Sequence, residues 1–390
     1  MDTRLIWLAL GTFAVGVEGF VIATLLPAIA ADSGVTITQA GYLVFAYAIA
    51  YAVGAPVLSA LTGRFDRRPL LAVVALVFAA GALLAALSQG YVALLVARLI
   101  IAASAGLYAA TAQAAAVTLA PVERRARAVA TVVAGTTMAV ALGAPIGAFL
   151  SGFAGWRGTY FAIAAVGVLT AAAIWLMLPK GIQGDRRGLG ERLGVLSVPG
   201  LVPALLTILL YMTGPFAAFI YLGPVTTRLM GLDAGLLPFV MLAYGLGAAL
   251  GNPLGGQLSD RIGAQATVTI AAVLNIVFLL LLGAIPLLPQ ATILPAYFVF
   301  MVAWGVAGWM FVPGQVSRVV ALSPSSAPLA LSLNASFLYL GTALGALVGG
   351  LVLEHLPIGD LGLVAAIFPA LALGVLLVSR PRAVPMPRLG

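Results

Sequence analysis

The sequence Gly256-Gln-Leu-Ser-Asp-Arg-Ile-Gly263 follows a long apolar run, and Ser59-Ala-Leu-Thr-Gly-Arg-Phe-Asp-Arg-Arg68 follows another apolar run earlier in the chain. Leu61 and Leu258 occupy equivalent places in these two stretches. They are 197 residues apart, which is close to half of the 390-residue length. A repeat with this period predicts that the chain is built from two similar halves.

The composition indicates whether the chain folds in water or in a lipid bilayer. Hydrophobic residues make up 63% of the sequence and charged residues only 8%, whereas roughly a quarter of the residues are charged in soluble domains. A soluble fold of this length cannot bury so much apolar surface, so we expect the chain to fold in a lipid bilayer. In such a chain the net charge of +8 indicates membrane topology rather than binding to nucleic acid.

Twelve apolar runs of about 20 residues are each long enough to cross roughly 30 Å of hydrocarbon. They lie at 5–27, 38–60, 70–88, 91–118, 128–152, 158–178, 200–223, 235–258, 266–288, 292–316, 328–353 and 361–379. We predict an all-α membrane protein with a six-helix half at 1–178, a linker at 179–199, a second six-helix half at 200–379 and a tail at 380–390. No cleavable signal is predicted, because the first run carries Glu18 and continues to full spanning length.

The basic residues lie almost entirely in alternate loops. One side receives Arg4, Arg64, Arg67, Arg68, Arg124, Arg125, Arg127, Lys180, Arg186, Arg187, Arg192, Arg261, Arg318, Arg380, Arg382 and Arg388. The other side receives only Arg157 and Arg228, and Arg98 lies inside a span. Cytoplasmic loops carry the excess of Lys and Arg, so this pattern predicts that both termini are cytoplasmic.

Several classes of chemistry lack the residues they need. The chain has no cysteine, and its only histidine, His355, falls in a predicted outer loop. Disulfides, thiolate nucleophiles and clustered metal ligands are therefore not expected. We identify no catalytic Ser/His pair and no phosphate-binding loop, so we predict neither an enzyme nor a cofactor.

The sequence resembles the major facilitator superfamily, and within it the bacterial twelve-helix drug:proton antiporters, especially the arabinose-efflux-permease-like and chloramphenicol-resistance-like proteins. The resemblance covers essentially the whole chain. Beyond the two loops, it rests on Leu25-Leu-Pro-Ala-Ile-Ala-Ala-Asp32, Arg98, Pro121-Val-Glu-Arg-Arg125, Gly143-Ala-Pro-Ile-Gly147 and Gly155-Trp-Arg157. It implies two six-helix halves that rock about a central substrate site.

In this superfamily the repeated loop usually has the form Gly-x-Leu-x-Asp-Arg-x-Gly-Arg-Arg and helps to latch the halves together. The second loop keeps Gly256, Asp260 and Arg261, whereas the first loop has Gly63 at the place of the acid. The resemblance therefore implies a latch role for Asp260 and Arg261. In the first loop, Asp66 is three residues displaced and either replaces the lost charge, together with Arg67 and Arg68, or leaves the latch weaker. The alternative is that these arginines only enforce topology.

Glu18 and Arg98 are the two charged residues that lie well inside predicted spans. A charge at this depth is costly unless it is paired or faces water, which makes Glu18 a candidate for binding the coupling proton. Counted from the outer ends of spans one and four, the depths of the two residues agree within roughly 3 Å. The resemblance implies that both helices line the central cavity, so the two side chains are expected to meet. The alternative is a permanent ion pair with a structural role only.

Gly135 and the Gly143-Ala-Pro-Ile-Gly147 segment, with Pro145 inside it, resemble the span-five motif of antiporters, although Ala144 separates the glycine from the proline. The alternative is ordinary packing of small residues, because the chain has 45 glycines.

Polar and aromatic residues on the presumed cavity helices complete the candidate site. These residues are Tyr108, Gln113, Tyr211, Thr213, Phe216, Tyr297, Phe300 and Trp304, with Tyr47, Tyr51 and Asn334 as weaker candidates. Such stripes are also common in plain helix packing.

We predict proton-coupled efflux of small neutral, lipophilic or cationic compounds, such as drugs or sugars, across the bacterial inner membrane. The expected partners are this substrate, protons and the lipid bilayer, and the expected state is a monomer. The alternatives are a proton-coupled importer of a sugar or nucleoside and, in a different class, a non-transporting membrane sensor or scaffold. The short linker and tail, and the buried Glu18, favour transport over the last alternative.

Overall fold

The computed structural model describes residues 3–121, 124–183, 190 and 194–379, and only the backbone of residues 125, 126, 144, 148 and 325. The predicted tail and the linker residues 184–189 and 191–193 lie outside the described residues. So do Val122 and Glu123 of the Pro121-Val-Glu-Arg-Arg125 motif.

The described residues form helices and no strands, which confirms the predicted fold class. The long helices are α1 (Arg4–Ser33), α2 (Ile37–Leu61), α3 (Arg67–Leu87), α4 (Tyr91–Leu119), the run Arg125–Met177, α7 (Leu201–Phe219), α8 (Leu237–Ile262), α9 (Ala264–Leu282), α10 (Gln290–Leu322), α11 (Ala327–His355) and α12 (Leu361–Val378). Among the described residues, eleven helices are long and apolar enough to cross a membrane, and Arg127–Gly143 forms a shorter apolar helix.

The predicted fifth and sixth spans are joined without a loop. The run Arg125–Met177 is interrupted only at Gly155, where φ is 66° and ψ is 174°. A positive φ is accessible to glycine because it lacks a side chain. Gly155 therefore divides the run into α5, before it, and α6, after it.

Each half repeats the same set of helix pairs. In the first half α1 packs on α5, α2 on α4 and α3 on α6, and in the second half α7 packs on α11, α8 on α10 and α9 on α12. Small residues allow this close packing: Gly247, Gly251 and Gly255 of α8 lie directly against the backbone of α10. The equivalence of these pairs agrees with the duplication inferred from the sequence.

The two halves meet where α2 packs on α11 and where α5 packs on α8. Because the helices alternate in direction, α1 begins and α12 ends on the same side of the bundle. We call this side the terminal face and the other side the opposite face. Near the opposite face, Thr38 donates a hydrogen bond to the Gly350 carbonyl at 3.2 Å, and the Tyr221 ring fills the space beside Gly41. These contacts close the bundle at the opposite face.

Candidate functional site: a buried ion pair beside a central aromatic wall

Glu18 on α1 and Arg98 on α4 meet in the interior of the first half. The Arg98 Nη1 atom is 2.6 Å from Glu18 Oε1, and both side chains have no exposed surface. The structure therefore brings together the two charges that the sequence places at equal depth. A pair so completely withdrawn from water requires further polar partners, because each ion has lost its hydration.

Arg98 has three further partners, although its Nη2 atom is buried with no hydrogen-bond partner. Arg98 donates to the Leu43 carbonyl at 3.2 Å and to the Tyr160 hydroxyl at 2.8 Å. Its guanidinium carbon also lies 4.7 Å from the centroid of the Tyr47 ring, within the range of a cation–π interaction. Glu18 Oε2 is also buried with no hydrogen-bond partner. The guanidinium is thus anchored independently of the carboxylate, and the carboxylate keeps a free oxygen.

The predicted span-five motif lies against the segment of α1 that carries Glu18. Gly143 contacts Val17, Gly147 contacts Val21, and Gly135 lies against the backbone of Ala9. Thr12 adds a hydrogen bond from its hydroxyl to the Val132 carbonyl at 2.6 Å. Pro145 is half-buried within this stretch of α5. The motif therefore holds α1 at a close and fixed distance from α5.

Aromatic residues from both halves, all but Tyr51 half-buried, line the space between the halves. Phe20, two residues beyond Glu18 on α1, lies 5.8 Å from the Trp309 ring of α10 and 6.4 Å from the Phe216 ring of α7. Tyr339 of α11 stacks on Tyr51 of α2 with 3.6 Å between ring centroids. Side chains that contact the opposite half face the centre of the bundle and not lipid, so their remaining exposed surface lies between the two halves.

Of the predicted cavity residues, only Phe216 and the weaker candidate Tyr51 belong to this wall. Tyr108 is buried between α1 and α4 and donates to the Leu8 carbonyl at 3.4 Å, while Gln113 is exposed. Thr213 donates to the Leu209 carbonyl of its own helix at 2.9 Å. Tyr211 donates to the Gly308 carbonyl at 3.1 Å and stacks on Phe311 inside the second half.

The stripe on α10 also faces the interior of the second half. Trp304 donates to the Asn275 side chain at 3.1 Å, and Asn275 in turn donates to Tyr211. The Tyr297 hydroxyl lies 3.2 Å from that of Thr226, and Phe300 packs on Phe278 of α9. The weaker candidate Asn334 accepts a hydrogen bond from Gln315 at 3.2 Å.

The first of the two repeated loops is held within its own half. Asp66 caps α3 by accepting from the Arg68 backbone at 3.0 Å and also accepts from the Gly181 backbone at 2.6 Å. Arg67 is buried, and the Arg68 guanidinium lies over the Trp175 ring of α6. Asp66 therefore fixes the loop to the segment that follows α6.

The second loop ends α8 at the terminal face. Asp260 and Arg261 are exposed there and, in the part of the chain that the structure describes, form no ion pair or hydrogen bond. No atom lies within 4 Å of where a side chain on Gly256 would begin. The latch role of both loops stays a prediction.

Two of the sequence motifs, the one ending at Asp32 and Gly155-Trp-Arg157, meet at the opposite face. Arg157, just after the Gly155 break, forms an ion pair with Asp32 at the end of α1, with 2.7 Å between Nη1 and Oδ2. It also donates to the Ser88 carbonyl at the end of α3 at 2.9 Å. Arg157 and Asp32 remain 37% and 43% exposed, so this pair joins helix ends at the surface.

Two pseudo-equivalent helical halves are the architecture of many secondary membrane transporters. The profile of the Major Facilitator Superfamily matches residues 8–242 and 204–389, and the chain belongs to this superfamily. It is a multi-pass membrane transporter.

Named relatives and solved structures agree with this assignment. The chain is 33% identical over 350 residues to the inner membrane transport protein YdhP of Escherichia coli (strain K12), covering 90% of this chain and 88% of the relative. It is 31% identical over 371 residues to the uncharacterized MFS-type transporter YbcL of Bacillus subtilis (strain 168), covering 93% of this chain and 94% of the relative.

Two crystal structures have the same fold at low sequence identity. A D-xylose–proton symporter superposes with a TM-score of 0.79 at 16% identity, over 97% of this chain and 98% of that chain. A bacterial homologue of the human lysosomal transporter Spinster, in an inward-facing and occupied conformation, superposes with a TM-score of 0.73 at 17% sequence identity, over 96% of both chains.

Proposed function

We propose that this transporter is a proton-coupled exporter of small neutral, lipophilic or cationic compounds, located in the inner membrane with both termini in the cytoplasm. One observation carries the proposal: Glu18 is fully buried, is paired through one oxygen only, and lies two residues from the central aromatic wall. An ionisable residue at this depth is a common site of proton transfer in transporters. The uncharged aromatic wall between the halves suits lipophilic compounds.

The proton step requires only that Glu18 changes between carboxylate and carboxylic acid. When a proton binds, the ion pair becomes a neutral acid beside a guanidinium that keeps Leu43, Tyr160 and the Tyr47 ring as partners. Arg98 therefore stays in place while its charge loses its compensating anion. Entry of one proton down the membrane potential supplies about 2.3 kcal/mol per 100 mV, which drives a neutral compound outward. Exchange of one proton for a monovalent cation moves no net charge and is driven by the pH gradient.

The wall composition supports lipophilic compounds as the substrate class. Aromatic faces attract both apolar groups and cations, and the two charged side chains beside the wall neutralise each other. A multiply charged anion has no unpaired cation to meet among the wall residues described. The relatives are transporters whose names specify no substrate, so the compound itself must be found by screening.

The direction of transport is supported by the glycines of α5. Gly135, Gly143 and Gly147 resemble the motif found in antiporters and pack on the segment of α1 that carries Glu18. The competing function is import with protons, as named for the D-xylose–proton symporter of the same fold. Symport and antiport move the proton in opposite directions relative to the compound, which an experiment can separate.

The test is substrate-evoked proton flux in proteoliposomes with an imposed pH gradient. Lipophilic cations, phenicols, pentoses and nucleosides are added in turn to the parent chain, to Glu18→Gln and to Glu354→Gln. We expect flux in the parent with at least one compound, its loss in Glu18→Gln, and its retention in Glu354→Gln. Glu354 is the matched control because it is an exposed carboxylate at the end of α11.

Three results would contradict the proposal. Full flux in Glu18→Gln would leave Glu18 as a structural partner of Arg98. Proton movement in the same direction as the compound would identify a symporter. Absence of flux with every class of compound in the panel would count against proton coupling.

The aromatic wall predicts a separate effect on substrate affinity. Replacing Phe20 by leucine removes a ring that touches Trp309 and Phe216, so we expect weaker binding, by about 0.5–1.5 kcal/mol or roughly twofold to thirteenfold. Binding is measured by titration of purified protein with the compound found in the flux screen.

Phe153→Leu is the matched control for this change, because Phe153 is 78% exposed on the outside of the bundle. Equal affinity in Phe20→Leu and the parent would remove Phe20 from the substrate site.

A further inference from the structure

Three tyrosines connect the ion pair to the second half. Tyr47 and Tyr51 lie one turn apart on α2, with ring centroids 6.3 Å apart. Tyr339 of α11 stacks on Tyr51 at 3.6 Å with an interplanar angle of 24° and lies 6.5 Å from Tyr47. These rings lie where α2 and α11 pack, which is one of the two places where the halves meet.

One of these three rings, that of Tyr47, also contacts the charged side chain of Arg98. The guanidinium lies over the Tyr47 ring at 4.7 Å and also pairs with Glu18. The Tyr47 hydroxyl is buried with no hydrogen-bond partner, and it lies near α1, 3.9 Å from where a side chain on Gly19 would begin. Tyr47 is thus held by ring contacts and lies beside the Glu18 carboxylate, so a change at the ion pair acts on it directly.

A proton on Glu18 changes the balance of forces on Tyr47. While Glu18 is ionised, the anion compensates most of the Arg98 charge. Once Glu18 is neutral, the Tyr47 ring face and two neutral hydrogen-bond acceptors are the partners left to Arg98, and a cation–π contact is stronger where the cation is desolvated. The attraction between Arg98 and Tyr47 therefore increases when the proton binds.

A shift of Tyr47 cannot be absorbed locally. Tyr47 is 2% exposed and Tyr51 is 6% exposed, and closely packed interiors respond to displacement by moving their neighbours. Tyr339, which belongs to the second half, contacts the rings of both Tyr47 and Tyr51. The charged and titratable groups around Glu18 in the described part of the chain are Arg98, Tyr47 and Tyr160, with Tyr339 beyond them.

We propose that Tyr339 is a positioning residue through which the charge state of Glu18 sets the contact between α2 and α11. Its ring transmits a movement of Tyr47 to the second half, and its stack on Tyr51 holds the two halves together in one of the two charge states. The proposal rests on the proposed function, because it assigns a partner in the second half to the proton site of the first. The second half thereby responds to the proton without an intramembrane carboxylate of its own.

The test measures the separation of α2 and α11 as the pH changes. The chain has no cysteine, so spin labels attach only to cysteines introduced at two exposed positions, Leu61 at the end of α2 and Pro328 at the start of α11. Distance distributions are compared in mildly acidic and mildly alkaline buffer. We expect a pH-dependent shift in the parent and in Tyr339→Phe, and its loss in Glu18→Gln and in Tyr339→Leu.

Phe337→Leu is the matched control, since Phe337 is an aromatic residue of the same helix that packs within the second half. It should keep the shift. If Tyr339→Leu does not accumulate, Tyr51→Leu removes the stacked partner from the other side and should likewise lose the shift. A shift of parental size in either leucine variant, or no shift in the parent, would overturn the role of Tyr339.

Proton flux in the same preparations separates this inference from the proposed function. A parent with flux, together with a Tyr339→Leu variant that keeps the full distance shift, overturns only the role of Tyr339. A parent without substrate-evoked flux counts against proton coupling itself, whatever the distances show.

Discussion

Replacing Arg98 by alanine is expected to destabilise the fold by about 3–5 kcal/mol, because it leaves a buried carboxylate without its counter-ion. The change also removes the hydrogen bonds to the Leu43 carbonyl and the Tyr160 hydroxyl. Such a loss is a large fraction of the 5–15 kcal/mol that holds a typical protein folded. We expect a marked fall in thermal stability in detergent and in the amount of monodisperse protein.

Two variants distinguish the loss of charge compensation from a general effect of removing arginine. Arg157→Ala breaks an ion pair with Asp32 that is over one third exposed, and exposed pairs contribute only about 0–1 kcal/mol, so this variant should be nearly as stable as the parent. The double variant Glu18→Gln/Arg98→Gln removes both charges and should recover much of the stability. Equal stability of Arg98→Ala and Arg157→Ala would show that the buried charge is compensated in another way.

The double variant also separates stability from transport. If the pair were only structural, restoring stability would restore transport as well. If Glu18 carries the proton, the double variant should be folded and inactive in the flux assay. This combination of results tests both interpretations of the pair that the sequence leaves open.

The meeting of Glu18 and Arg98 could be predicted from the sequence because it depends only on depth along two helices. Rise per residue is fixed in a helix, so counting from the predicted ends placed both charges at one level. The observed hydrogen bond between them agrees with this counting. Likewise, the repeated loops and apolar runs were sufficient to predict the two halves.

The aromatic wall could not be predicted in the same way, because it depends on which face of each helix points to the other half. These helices are apolar on all sides, so no polar face indicates their rotation. Tyr211 and Phe216 lie on the same helix, yet the first is buried within its half and the second contacts Phe20 across the centre. Phe20, Trp309 and Tyr339 were missed for this reason. The positions of these three residues come from tertiary packing alone.

Replacing Gly135 by alanine is expected to prevent the normal approach of α1 to α5 and to abolish most transport. A methyl group there would overlap the Ala9 carbonyl oxygen and lie 2.5 Å from the Thr12 hydroxyl. The obstacle is backbone, which cannot rotate away, so the helices must separate. Separation also breaks the hydrogen bond from Thr12 to the Val132 carbonyl and displaces the segment that carries Glu18.

Gly152→Ala provides the matched control on the same helix, since no atom lies within 4 Å of where its side chain would begin. Gly-to-Ala within a helix is by itself stabilising by about 0.5–1 kcal/mol, so any loss in Gly135→Ala must come from contact with α1. Gly147→Ala should give an intermediate result, because its new methyl group would meet a side chain, that of Val21, which can shift further than a backbone carbonyl although β-branching restricts its rotamers. The expected order of transport is therefore Gly152→Ala above Gly147→Ala above Gly135→Ala. Parental transport in Gly135→Ala would show that α1 can move away from α5 at little cost, and would argue against a fixed α1–α5 unit as the support of the proton site.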